Sequence, residues 1–381
     1  MTLSLSVIML VLMGYFLSSK WQTLAPKKFD FHRQFSKRRA AIGESVTLIT
    51  TMTNNKWMPL PWVSIHSKVP ASFSFEGYNQ ERLNQEEMGE HSLVTSFLFY
   101  ERVRRQDAFT CNQRGYYRLE PVSVSFGDLF GFTKADKVFS VDDGLYIHPE
   151  IKRLSAFKWV PDQYLGDVSV KRWINPDPIT TIGTRQYTHD DAFSTIDWKS
   201  TAKVGALQVK KADHTSDPYL MVFFDVQTNP THWNNIDKVA IEKGVMLCAA
   251  TCDEALKNRI PVGVCHNSVD AFARNATFLE PSLSDQQKQR LMDALALVTP
   301  YRGIAMAALI HQSLPKLRPG TTLVFVCAFV SDEVRNALNI LARKGVRVKV
   351  LVTRNDLTSA KLYSPIECHY LDEKEGGGHD I

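Results

Sequence analysis

Cysteine and histidine are the side chains with the most chemistry to offer in this sequence, and four of them lie within twenty positions of one another. Cys248 and Cys252 are four apart, which puts both on one face of a helix, and Cys265-His266 ends the apolar run VGVC. Thiolates and imidazoles together can hold zinc or form a nucleophile and base. Adjacent Cys-His lacks zinc-finger spacing, and cysteine in an apolar pattern behaves as a small hydrophobe, so these residues are expected in the core. A Cys/His hydrolase stays as the enzymatic alternative. The chain has no Gly-x-Ser-x-Gly elbow, P-loop or dinucleotide fingerprint.

A second concentration of polar chemistry runs from 185 to 210, RQYTHDDAFSTIDWKSTAKVGALQVK. Read as a strand, Ile196-Asp197-Trp198-Lys199 places Ile196 and Trp198 on one face and Asp197 and Lys199 on the other. Trp198 is then expected to pack between domains while Asp197 pairs with a cation such as Arg185. The functional alternative is a docking surface built from Arg185, Tyr187, Asp190, Asp191, Asp197, Trp198 and Lys199. Lys199, Lys203, Lys210 and Lys211 form a basic group, but no nucleic-acid module accompanies them, so nucleic acid is not expected as a partner.

The elements that must position these residues differ along the chain. From 30 to 150, short alternating runs (VTLITTM, WVSIH, LVTSFLFY, PVSVSF) are separated by Gly43-Glu44, Asn54-Asn55, Arg114-Gly115 and Gly127-Asp128, which predicts an all-β sandwich. Residues 151–215 carry the breaker run Asn175-Pro176-Asp177-Pro178 and read as a connecting segment. From 216 to 367 continuous apolar strands alternate with helices, so a doubly wound α/β domain is expected. Its helices are marked by Ile236, Val239, Ala240, Leu247 and Ala250, by a Ser284/Gln287 capping box before Leu291, Ala294, Leu295 and Val298, and by Ser331 before Val334, Ala337, Leu338, Leu341 and Ala342. Gly345 stops the last helix. Residues 368–381 are polar and Gly-rich, a disordered tail.

Residues 3–17, LSLSVIMLVLMGYFL, hold no charge. About seventeen helical residues reach roughly 25 Å, close to the short limit for a bilayer core of about 30 Å, so 1–20 is expected to be a transmembrane anchor with Lys20 and Trp21 at the interface. A cleaved signal peptide is opposed by the missing basic start and the missing small-residue cleavage site. Lys20, Lys27, Lys28, Arg33, Lys37, Arg38 and Arg39 all follow the apolar run. The positive-inside bias then predicts a single-pass protein of the cell membrane, N-terminus out and body cytoplasmic. Six cysteines without a disulfide-framework spacing fit a reducing compartment. A net charge of +5 and 44% hydrophobic content indicate folded domains over most of the length.

Gly43-Glu44, Asn54, Pro59-Leu60-Pro61-Trp62, Arg114-Gly115-Tyr116-Tyr117, Asp128 to Phe132, Arg185-x-Tyr187 and Ile196-Asp197-Trp198-Lys199 stand in an order that resembles the bacterial domain-of-unknown-function-58 family. The resemblance implies a membrane segment, a β-sandwich and a von Willebrand factor A-like domain, with no established catalysis. It also implies a protein partner of the MoxR-type AAA+ ATPase class. A von Willebrand A domain can hold Mg²⁺ through Asp-x-Ser-x-Ser after its first strand. This chain has Asp225-Val226-Gln227-Thr228-Asn229 there, and Cys327-Ala328 where family members have Ser-Asp. One carboxylate and two amides make a degenerate site, so no cofactor is expected, and Asp225, Gln227 and Asn229 are the residues that would hold Mg²⁺ if any cation bound. The resulting expectation is a membrane-anchored, non-enzymatic interaction module, with a divalent-cation-dependent protein-binding domain as the alternative.

Overall fold

The structure is a computed structural model that describes residues 20–75, 81–82, 88–128, 133–151, 181–188, 193, 196–212, 219–230, 236–318, 320–354, 361–362 and 366–370. All of the expected 1–20 anchor except Lys20, most of the breaker-rich segment and the tail past 370 lie outside the described residues. Among those described, no helix is long and apolar enough to cross a membrane. The chain is a mixed α/β structure of several sheets with more strands than helices. It divides into two compact units, Met1–Glu150 with Met292–Val298, and Ile151–Leu291 with Thr299–Ile381.

The first unit contains β1 (Phe29–Phe35), β2 (Arg39–Ala41), β3 (Ser45–Asn54), β4 (Leu60–Pro70), β5 (Phe73–Phe75), β6 (Glu81–Arg82), β7 (Met88–Phe97), β8 (Arg102–Cys111), β9 (Gly115–Arg118), β10 (Val122–Gly127), β11 (Lys134–Phe139) and β12 (Gly144–His148). Two antiparallel sheets form, in the orders β1-β3-β8-β5 and β11-β10-β4-β7-β6, beside a smaller β2-β12-β9 sheet. Alternation works as expected: Phe29, Phe31, Arg33 and Phe35 of β1 are buried while the residues between them are exposed.

The inward rows of both large sheets meet in two apolar clusters. One holds Phe29, Phe31, Met52, Ile65 and Phe126, the other Phe35, Leu48, Val69, Phe73 and Phe109. Along β1, β3 and β4 the positions between the clusters are Arg33, Thr50 and Ser67, all buried, so a polar layer splits the core. Arg33 Nε donates to Thr50 Oγ1 at 3.0 Å, and burial pushes its guanidinium down to about 10, with the Asp107 charge acting in the opposite direction.

Asn54 is not the turn residue that its neighbour Asn55 suggested. It is fully buried at the end of β3, where Nδ2 donates to Met58 O at 2.9 Å and Leu98 O at 2.8 Å. With the Leu98 carbonyl taken there, β7 ends at Phe97, and Leu98, Phe99 and Tyr100, read from sequence as strand, become exposed loop. Lys56, in the neighbouring loop, is buried and donates to the carbonyls of Leu24, Ala25 and Lys27, which end the helical turn over 20–24. Trp21, expected as an interface anchor, is half-buried against the first cluster.

The second unit opens with β13 (Thr181–Gln186) paired antiparallel to β14 (Gln208–Ala212), with helix α1 (Trp198–Val204) between them. Part of the expected connecting segment is therefore structured. Next come β15 (Tyr219–Phe224), α2 (Lys238–Lys257), β16 (Val262–His266), β17 (Ser268–Asp270) and β18 (Thr277–Ser282). The chain continues with α3 (Gln287–Ala296), β19 (Val298–Arg302), α4 (Met306–Ser313), β20 (Thr321–Cys327), α5 (Asp332–Arg343), β21 (Arg347–Val352) and β22 (Glu367–Tyr370). The main sheet runs β18-β16-β15-β20-β21-β22, parallel except for β18. Every residue of β16 and β20 is buried, which explains their unbroken apolar sequences.

Helix α5 begins where expected: Ser331 Oγ accepts from Val334 N at 3.3 Å, and Gly345 follows the helix at φ 82°. Three readings are corrected. Val239, placed on the apolar face of α2, is exposed, because Asp237 caps the helix and starts it at Lys238. Gln287 forms no reciprocal capping box; its buried Nε2 donates to Val262 O at 2.8 Å and Glu280 O at 2.9 Å, joining β16 to β18. Cys368 to Tyr370, assigned to the tail, pair with β21 as an edge strand.

Gly244 lets α2 approach β15 closely, since a Cβ there would overlap the Phe224 ring. Gly244→Ala should lower stability by about 1–3 kcal/mol, as overpacking of a filled core does, and thermal unfolding should show a reduced Tm despite the better helix propensity of alanine.

Candidate functional site: the carboxyl edge of the sheet and the 185–199 surface

In a parallel sheet a ligand crevice lies at the carboxyl edge where strand order reverses. Here that point falls between β15 and β20, and Asp225 follows β15, with its N–H donating to Val326 O at 2.9 Å. The three residues predicted to face a cation are all brought there, and all are engaged. Asp225 Oδ1 accepts from Gln227 N at 3.0 Å and from Asn267 Nδ2 at 2.8 Å. Gln227 Oε1 accepts from Arg302 at 2.7 Å, and Gln227 Nε2 donates to Asn229 O at 2.9 Å. Asn267, fully buried, also accepts from Val226 N at 3.0 Å.

Mg²⁺ needs about six oxygens in a near-octahedron. At this edge one carboxylate oxygen already holds two N–H donors, and the amide oxygen beside it holds a guanidinium. An incoming cation would have to displace a like charge, so the residues present do not fit Mg²⁺. Across the crevice Cys327, Ala328, Phe329 and Val330 are buried and offer no carboxylate. Among the described residues, no three His, Cys, Asp or Glu side chains converge as a metal site.

The Cys/His alternative meets a simpler obstacle. Successive strand residues point to opposite faces, so Cys265 and His266 diverge. Cys265 packs in the cluster of Met221, Phe223 and Phe325, where burial pushes its thiol up to about 12 against a hydrogen bond involving Ser313. His266 Nδ1 shares a 2.9 Å hydrogen bond with Ser268 Oγ. Cys248 and Cys252 are buried in α2, and desolvation raises the Cys252 thiol. A nucleophilic cysteine requires the opposite shift.

The 185–199 segment differs most from its sequence reading. Asp197 is the N-cap of α1, its Oδ1 accepting from Lys199 N at 3.0 Å and Ser200 N at 3.3 Å, and its Oδ2 from Ser200 Oγ at 3.1 Å. The expected strand is thus a single bridge, Ile196 to Val209, followed at once by a helix. Gly205 at φ 73° ends the helix, its N–H donating to Thr201 O, and Gln208 N donates to Thr201 Oγ1 at 2.9 Å. Among the described side chains here, only Ile196, Gln208 and Val209 are buried.

Trp198, expected between domains, is 66% exposed, and Phe193 is 73% exposed. The Tyr187 and Phe193 rings lie 5.7 Å apart. Arg185 is exposed, donating to Gln186 O at 3.2 Å, and Lys199 is exposed on the first turn of α1. Asp190 and Asp191 lie outside the described residues. What remains on the capped hairpin are exposed aromatic and basic side chains, of which Trp, Tyr and Arg are types enriched at protein interfaces. Sequence reasoning missed Asn267 and Arg302 at the sheet edge. The position of Asn267, just past the end of an apolar strand, was the one available signal.

Burial raises the Asp225 carboxyl above the usual aspartate value of 3.8, with the Gln227 and Asn267 donors and the Arg302 charge opposing. Its contribution to stability is therefore complete below 3.8 and is lost as pH rises through the raised value. Asp225→Asn keeps an acceptor oxygen and removes this dependence. The Tm difference between variant and parent should be small at about pH 3 and should favour the variant by about pH 7, and added Mg²⁺ should shift neither Tm.

Residues 183–362 match the family model described as "Protein of unknown function DUF58". The chain is 24% identical over 241 residues to the "Uncharacterized protein YeaD" of Bacillus subtilis (strain 168), a match covering 62% of this chain and 56% of that protein. Among solved structures, a non-cellulosomal cohesin from Archaeoglobus fulgidus aligns at 10% identity, over 31% of this chain and 91% of the cohesin, with a TM-score of 0.22. The sixth cohesin of Acetivibrio cellulolyticus scaffoldin B aligns at 11% identity, over 31% and 98%, with a TM-score of 0.21. Scores of that size carry no argument about this chain. The resemblance to the DUF58 family is carried by residues 183–362, from β13 through β21 to the residues just past it.

Proposed function

We propose that this protein is a membrane-anchored, non-enzymatic interaction module whose 185–199 surface docks a protein partner without a metal. The observation that carries the reading is the exposure of Trp198 and Phe193 on a hairpin whose polar residues are spent on holding its shape. Trp, Tyr and Arg supply most binding energy in interfaces, and Trp198, Tyr187 and Arg185 are such residues. The two antiparallel sheets of the first unit are read as a β-sandwich, and the β18-β16-β15-β20-β21-β22 sheet as a von Willebrand factor A-like domain with a degenerate adhesion site. The apolar, uncharged run over 3–17 and the basic residues behind it support a single-pass anchor in the cell membrane, N-terminus out and body cytoplasmic.

The family resemblance points to a MoxR-type AAA+ ATPase as the partner. Full-length protein in detergent, titrated with such an ATPase, should bind equally well with EDTA and with Mg²⁺ chelated by nothing else than nucleotide. Trp198→Ala combined with Lys199→Glu should weaken binding roughly tenfold or more, the cost of losing one central aromatic anchor. Loss of the complex in EDTA alone would favour the cation-dependent alternative, and unchanged binding by the double variant would move the docking surface elsewhere.

A further inference from the structure

One end of the first unit exposes apolar side chains that neither its core nor the 185–199 surface uses. Trp57 is 77% exposed, and Leu98, Phe99 and Tyr100 are 64%, 63% and 68% exposed. They are two loops held as one. Tyr100 N donates to Lys56 O at 3.1 Å, Asn54 N donates to Glu101 O at 2.8 Å, and the Asn54 amide bridges Met58 O and Leu98 O. Leu98 N is held by the Glu101 carboxylate at 2.6 Å. An apolar group fixed outward by this many hydrogen bonds is a built surface, and contiguous exposed patches of this kind mark interaction sites.

The same hydrogen bonds fix where the patch lies along the chain. Lys56 Nζ grips the carbonyls of Leu24, Ala25 and Lys27, and Asn55 N donates to Lys28 O at 2.9 Å. Trp57 therefore follows directly on the residue that clamps the helical turn over 20–24, and the uncharged apolar run ends at Leu17, three positions before that turn. Gln22 and Pro26 are tied to Lys134 and Lys137 of β11, so this entry point is fastened on two sides. Leu24 is half-exposed there, and Lys20, Lys27 and Lys28 are exposed.

We propose that Trp57, Leu98, Phe99 and Tyr100 form a second membrane contact, inserted at the headgroup level of the bilayer that receives the N-terminal run. This rests on the anchoring proposed above. Tryptophan and tyrosine favour that level because a ring can leave water while its N–H or O–H stays wet, and the adjoining lysines match anionic headgroups. A chain leaving the bilayer beside Leu24 brings these side chains to the interface by connectivity alone. The contact would set the tilt of the first unit on the membrane, which a lone helix leaves free.

The test uses full-length protein in vesicles of phosphatidylcholine and phosphatidylglycerol, with flotation read separately from fluorescence. Lipids brominated near the headgroup should quench tryptophan emission more in the parent than in Trp57→Phe, which removes one fluorophore and keeps an apolar ring. Replacing Leu98, Phe99 and Tyr100 together by serine should abolish the quenching of Trp57 while flotation and circular dichroism stay unchanged. Protein that floats with Trp57 unquenched overturns this contact and leaves the anchor standing, pointing to a protein or a second copy on the patch. Protein that fails to float overturns both.

Discussion

A charge taken out of water costs several kcal/mol unless donors or acceptors replace its hydration, and three withdrawn charges organise this chain. Lys56 replaces lost water with three backbone carbonyls, and in doing so fastens the N-terminal turn to the β3–β4 loop. Burial pushes that ammonium down to about 8, a shift to which the nearby Lys137 charge adds. Arg33 sits between two apolar clusters and sets the polar layer of the first unit. Asp225 is met by Asn267 and the Gln227 N–H, with Arg302 supplying positive charge one residue further out. The Lys56 and Asp225 solutions each fix a loop, and the Arg33 solution ties β1 to β3.

The third of these explains why the carboxyl edge, placed where a cation could sit, has donors that do not fit Mg²⁺. A cation at such an edge would neutralise a buried carboxylate and tie together the loops that follow neighbouring strands. Asn267 comes from the loop after β16 and Arg302 from β19, so side chains of the protein already make that connection. Arg302, bonded to Gln227, supplies positive charge near Asp225.

Periodicity made much of the architecture readable. Alternation in β3 and the 3.6-residue rows of α5 matched the observed burial, because half-buried strands and amphipathic helices impose those periods, whereas Ser125 of β10, read on the open face, is buried. The failures were local contests that a single sequence does not decide. Ile196-Asp197-Trp198-Lys199 alternates like a strand, but four residues are too few to outweigh a capping aspartate followed by a serine three positions on. The run LVTSFLFY continues apolar past Phe97, and only the distant amide of Asn54 ends it. β18 and β22 are edge strands with mixed composition, recruited by a partner rather than by their own pattern. At the candidate site Arg185, Trp198 and Lys199 are exposed, and the backbone that carries Trp198 and Lys199 is helix where strand was expected.

Tyr100 occupies φ 54°, a left-handed conformation that costs a side chain with a Cβ about 1 kcal/mol relative to glycine. Selection for thermal stability alone would therefore favour glycine at this position and remove the ring along with the strain. A thermostabilised variant obtained in that way would unfold later and present a blunter loop. For this loop, durability and adhesiveness are opposing design goals, and a screen that scores only the first would erode the second.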